Sequence, residues 1–287
     1  MMTEMRKRFS QWLLPLLLSG AYPCVASLAA SREAPESLDA GYRRMYSLDF
    51  EGAERAFSTW QQERPDDPRG PVSEAAGLLF SELYRLGILE SQFFVDDDAF
   101  TERGRRKPDP NLKVHLDAAL ERAETLARTR LAGDPDDADA LFSLALASGL
   151  KADYLSLIEA RNIAALSPTK HANEWAEKLL RKDPDYADAY LATGLSKYII
   201  GSTPAPIRWV LRIGGYAGDK KEGMRELELT AEKGKLLAPF ARLLLSMAYL
   251  RQGDTERARQ MLERLREEFP ENPLYAREIA RIAAGKL

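Results

Sequence analysis

The two histidines of the chain, His115 and His171, are the first places to look for chemistry. Glu174 follows His171 by three residues, which places an imidazole and a carboxylate on one face of a helix. A zinc centre or an acid–base pair needs further ligands or a positioned partner. No HExxH motif, paired-histidine motif or neighbouring cysteine supplies them, so solvent-facing or helix-end histidines are expected. The single cysteine, Cys24, excludes a disulfide framework, a Cys-rich zinc site and an iron–sulfur cluster. Asp134, Asp136 and Asp137 offer oxygen ligands of the kind calcium takes, but no glycine turn or bidentate glutamate follows at EF-hand spacing. Serine hydrolysis lacks a GxSxG elbow, phosphate binding lacks GxxxxGK[ST], and Gly214-Gly215 forms no GxGxxG fingerprint. Haem attachment lacks CxxCH. The expectation is a non-enzyme with no metal and no cofactor.

What remains are residues suited to binding. An insertion at 92–110 carries Phe93, Phe94, Asp96, Asp97, Asp98 and Phe100, then Arg103, Arg105, Arg106 and Lys107. Aromatics beside charges can form a lip for a partner, and long loops often carry function. The alternative is that Phe93 and Phe94 fold back on the core while the charges are solvated. A second insertion, 201–217, holds Pro204, Pro206, Ile207, Trp209, Val210, Leu211 and Ile213. It is expected to be a short apolar helix buried across the helical stack. An exposed Trp209 would instead favour a groove for an apolar ligand or peptide.

The elements that position these residues are helices. The chain has 40 alanines and 42 leucines against 5 valines and 9 isoleucines, a balance that argues for helix and against sheet. Apolar residues recur at spacings of three and four, and proline and glycine punctuate at intervals that fit helix pairs. With 41 basic and 44 acidic residues the net charge is −3, which gives no electrostatic case for nucleic acid.

Residues 1–30 stand apart. Arg6, Lys7 and Arg8 precede the apolar run Trp12 to Leu18, and a small-residue region ends at Ala30. This is the order of a secretory signal peptide. The apolar run is too short to span a bilayer, which takes about 20 residues. An uncleaved N-terminal anchor is the minor alternative. Cleavage after Ala26, Ala29 or Ala30 removes Cys24, and Pro23 before it does not suit a lipoprotein site. Residues 31–287 are then an exported domain, periplasmic or secreted in a bacterium, with no membrane span after signal removal.

The clearest internal repeat sets Asp134-Pro135-Asp136-Asp137-Ala138-Asp139-Ala140-Leu141 against Asp183-Pro184-Asp185-Tyr186-Ala187-Asp188-Ala189-Tyr190, with six of eight positions matching. Proline ends the preceding helix, and Asp136 or Asp185 is expected to cap the next. The last third carries Tyr249, Gly253-Asp254, Ala258, Leu262, Leu265 and Pro270. The same frame fits Gly41, Asp49-Phe50, Ala53, Phe57, Trp60 and Pro65, and more loosely Gly218-Asp219, Gly223 and Leu227. Ala123 with Pro135 and Ala172 with Pro184 keep the spacing from small residue to closing proline. By these five matches the chain resembles the tetratricopeptide repeat (TPR) superfamily. Residues 199–275 further resemble the C-terminal part of bacterial TPR proteins distantly similar to the inclusion-body clearance and tetratricopeptide repeat 39 proteins. That likeness implies an interaction role and supplies no catalytic residues.

The expected architecture is all-α, a TPR-like α-α superhelix of about five antiparallel pairs: 36–48 with 50–64, 71–91 with 111–132, 137–165 with 168–182, 186–201 with 219–233, and 236–252 with 255–269. A helix at 273–284 caps it. TPR solenoids bind on the concave surface lined by the first helix of each pair. Arg44, Tyr84, Lys197, Tyr198 and Tyr249 fall on those helices, and with Trp209 they are the partner-binding candidates. The functional expectation is a non-catalytic exported scaffold for a protein or peptide. A ligand-binding accessory subunit of a solute transport system, with an apolar pocket, is the alternative. A structural envelope protein is a third.

Overall fold

Twelve α-helices and no strand occur among the described residues of the computed structural model, which are 37–90, 107–213 and 215–285. The leader at 1–30 and most of the 92–110 insertion lie outside them.

The helices are α1 (Leu38–Tyr46), α2 (Phe50–Glu63), α3 (Arg69–Leu86), α4 (Pro110–Gly133), α5 (Ala138–Asp153), α6 (Asn162–Lys182), α7 (Tyr190–Ser202), α8 (Ala205–Ile213), α9 (Lys220–Lys233), α10 (Ala238–Arg251), α11 (Thr255–Glu268) and α12 (Pro273–Ala283). The five expected pairs are α1/α2, α3/α4, α5/α6, α7/α9 and α10/α11, and α12 closes the series. Aspartates or asparagine start many of these helices by accepting from free N–H groups. Asp49 accepts from Gly52, Asp219 from Lys221 and Glu222, Asp254 from Arg257, and Asn272 from Leu274.

The repeated Asp-Pro turn works differently from expectation. Asp137, not Asp136, caps α5 by accepting from Ala140 at 2.8 Å, and Arg130 holds its other oxygen. In the second copy Tyr186 stands where Asp137 would be, and a 3₁₀ turn (Ala187–Ala189) leads into α7 without a side-chain cap. Asp188 is buried and reaches across the molecule, accepting from the amides of Lys235, Leu236 and Leu237 ahead of α10.

Close crossings fall where side chains are small. Ala53 and Ala258 are fully buried. The α7/α9 crossing is tighter still: a Cβ on Gly223 would collide with the Tyr198 amide, and one on Gly201 would collide with that of Lys220. This contact explains why the 201–217 insertion is not buried across the stack. With α7 and α9 in backbone contact there is no room between them. So α8 lies on the surface, with Ile207, Trp209 and Ile213 exposed by 54%, 66% and 69%.

The third pair also departs from expectation. Its first helix ends in a π turn (Tyr154–Ile158), and Ala160 adopts the left-handed region at φ 56°. The partner helix therefore starts at Asn162, and Pro168 lies inside it rather than opening it. Ala138–Ile158 is long and apolar enough to cross a membrane, and most of it is buried within the protein.

The two ends of the array meet. Tyr46 of α1 donates to the Leu236 carbonyl at 3.1 Å, and Asn272 donates to the Tyr46 carbonyl at 2.8 Å. The Tyr46 ring lies 5.6 Å from both Phe80 and Phe269. Phe240 of α10 packs edge-on to Phe80 of α3 at 6.3 Å. Tyr275 of α12 is buried, and Arg277 and Arg281 pair with Glu90 beyond α3. The superhelix is closed, with the first helices of the pairs turned inward.

Candidate functional site

Closing the array leaves a space at its centre. A cavity of about 320 Å³ opens between α1, α3, α5, α6, α7 and α10, at the lower end of the about 300–1,000 Å³ of small-molecule sites. Its wall is overwhelmingly apolar. Each inner helix contributes by its own spacing: Tyr42, Met45 and Tyr46 from α1, Leu79, Phe80 and Leu83 from α3, and Leu191, Leu195 and Ile199 from α7. The space exists because small residues face it, among them Ala145, Gly149, Ala165 and Ala192. A Cβ on Gly149 would meet nothing within 4 Å. Leu211 of α8 and Tyr216 just after it reach the wall, so the exposed segment lies at the cavity's edge.

Two carboxylates line this apolar space, in opposite conditions. Asp188 is held by three backbone amides; burial raises its pKa while those bonds pull it back. Asp153, the last residue of α5, has no such support. Among the described residues no hydrogen bond or ion pair reaches its carboxylate. Burial alone pushes its pKa from 3.8 to about 7. By surface area Asp153 is only half-buried. The two facts agree if protein surrounds it and its open side is the cavity. Tyr42 and Tyr46 are pushed well up by burial; Tyr46 donates to Leu236, and Tyr42 accepts from Ser73 at 3.3 Å.

The residues singled out from sequence lie elsewhere. Arg44 is exposed and pairs with Asp49 at 3.2 Å. Tyr84 packs against Phe50, with ring centres 5.9 Å apart. Lys197 ties α7 to the buried Glu226 of α9 at 2.5 Å, and Tyr198 is half-buried. Tyr249 is buried, bonds Glu228 at 2.5 Å and carries Arg257 over its ring at 4.5 Å. Trp209 stands out from the surface. None of the six lines the cavity. On α7 the polar pair Lys197–Tyr198 faces outward to α9, and the inner face is the apolar stripe. The signals that would have found the site are that stripe and a lone acid, Asp153, closing the apolar run of α5. His115 and His171 are exposed, as expected. No cluster of metal-ligating side chains occurs among the described residues.

The pair α10/α11 and α12 supply the comparison with known proteins. Residues 239–282 match the model of the tetratricopeptide repeat. That match supports assignment of the chain to the TPR superfamily, and the all-α helical-repeat superhelix agrees with it. TPR domains commonly mediate protein–protein binding and are typically non-catalytic. No curated protein matches the chain.

Proposed function

We propose that the chain is an exported, non-catalytic interaction scaffold that holds an apolar ligand at the centre of its closed superhelix, as an accessory binding subunit would. The observation that carries this reading is the cavity itself. It is built from the inner faces of five helix pairs that also form the core, and its apolar wall offers burial to a ligand at about 25 cal/mol per Å². The order of basic, apolar and small residues over 6–30 supports export.

A second reading, capture of a protein partner, is favoured by α8. Its exposed Ile207, Trp209 and Ile213 give a large aromatic flanked by aliphatic side chains, the composition of interface anchors.

The test is titration of the purified full chain with the neutral dye Nile red, read by fluorescence. One saturable site is expected. Gly149→Phe, which places a ring in open space on the cavity wall, should abolish it without changing the far-ultraviolet helical signal. Equal dye binding by this variant would exclude the cavity as the site.

A further inference from the structure

Asp153 does nothing for the fold that the structure reveals. Carboxylates elsewhere in the interior have partners: Glu82 has Arg85 and the Asp109 amide, Asp188 has three amides, and Glu226 has Lys197 on one oxygen while its Oε2 has none among the described residues. A buried polar group without a partner is costly, and protein interiors rarely keep one. Asp153 lines the cavity and has no protein partner among the described residues, so a group bound in that space can pair with it.

We infer that the cavity selects a cationic amphiphile, an alkyl chain ended by an ammonium group, with Asp153 as the counter-ion. The inference rests on the cavity being a ligand site and adds the ligand's chemical class. The apolar wall takes the chain. The ammonium brings three donors, and Asp153 supplies a charged acceptor, which makes the hydrogen bond a strong one. Ser156, whose hydroxyl donates to the Asp153 carbonyl at 3.4 Å, and Asn162 also line the wall beside it. An anionic head group is disfavoured, because no lysine, arginine or histidine among the described residues lines the cavity.

The charge environment is sparse. The titratable groups on the wall are Tyr42 and Tyr46 from α1, Asp188 before α7 and Tyr216 after α8, while α3, α6 and α10 contribute none. On the segment of Asp153 itself, Lys151 is exposed and Glu159 is paired with Arg161 at 3.0 Å. Ionisation of Asp153 is a charge change at the site near neutral pH. A permanently protonated amine binds the ionised carboxylate, so its affinity should rise as pH increases through about 7 and fall about tenfold per unit below it.

The experiment compares n-decylamine, n-decanol and decanoate on the full chain by displacement of Nile red at pH 6 and pH 8. The amine is expected to bind about tenfold or more tightly than the alcohol at pH 8, with decanoate weakest. Asp153→Asn should remove the amine's advantage and its pH dependence while leaving decanol affinity unchanged. That unchanged affinity also reports an intact cavity. Equal affinities for the three head groups, or an amine preference that survives in Asp153→Asn, overturns the inference and leaves the apolar site standing. No binding of any of the three overturns the cavity reading itself.

Discussion

One carboxyl group, Asp153, gives this protein a pH response that reaches to neutrality. Asp153 has its pKa raised by burial from 3.8 to about 7. Below about pH 4 it is protonated in folded and unfolded chains alike and costs nothing. Between 4 and 7 the unfolded chain gives up the proton first, so stability declines as pH rises, and the full penalty is reached above 7. A rise of that size corresponds to on the order of 2–4 kcal/mol once contact with solvent in the cavity is discounted. Asp153→Asn should therefore melt higher than the parent at pH 8 and nearly with it at pH 4.5. Calorimetry at the two pH values checks this, and equal gains at both would mean that packing, not ionisation, is responsible. Sequence held the hint, since Asp153 ends the long apolar run of α5. An acid at the end of a helix usually meets water, however, and only the closed array puts this one inside.

At the level of helices, the two kinds of glycine behave oppositely. Gly149 lies inside α5 with open space around its absent Cβ. Gly149→Ala should stabilise by about 0.5–1 kcal/mol through helix propensity. Gly223 lies against the backbone of Tyr198. Gly223→Ala forces α7 and α9 apart and should cost about 1–3 kcal/mol. Urea melts of both variants check the pair, and the same sign for both would contradict the crossing geometry. The helices and their pairing were legible because small residues, caps and closing prolines obey local rules: Ala53, Gly223 and Ala258 all sit at crossings. Three features escaped. Pro168 reads as a helix start by local rules, but the π turn and Ala160 end the preceding helix earlier. Asp185 reads as a cap, but Tyr186 interrupts the pattern and Asp188 bonds 47 residues away. The apolar 201–217 segment reads as core, but the glycine seam between α7 and α9 shuts it out. Which face of α7 turns inward was legible in the stripe Leu191, Leu195 and Ile199; Lys197 and Tyr198 have the chemistry of binding residues but belong to the opposite side of that helix.

For the whole molecule, the junction between first and last helices changes how it should unfold. Open solenoids contact only their neighbours along the chain and fray from the ends. Here Asn272 joins the ends by donating to the Tyr46 carbonyl, and it also caps α12 by accepting from Leu274. Asn272→Ala leaves a buried carbonyl unpaired and removes a cap, at about 2–4 kcal/mol together. Native-state hydrogen exchange should show α1 and α12 losing protection at one common free energy in the parent, and α12 opening well before α1 in the variant. Independent exchange of the two helices in the parent would mean that the junction carries no energy. A protein built this way also loses an evolutionary freedom that linear arrays keep. Duplicating one hairpin in a linear array lengthens it and spares the rest. Inserting a sixth hairpin here would push Tyr46 away from Asn272 and widen the space that Asp153 faces, so the number of repeats is tied to the bore of the binding chamber.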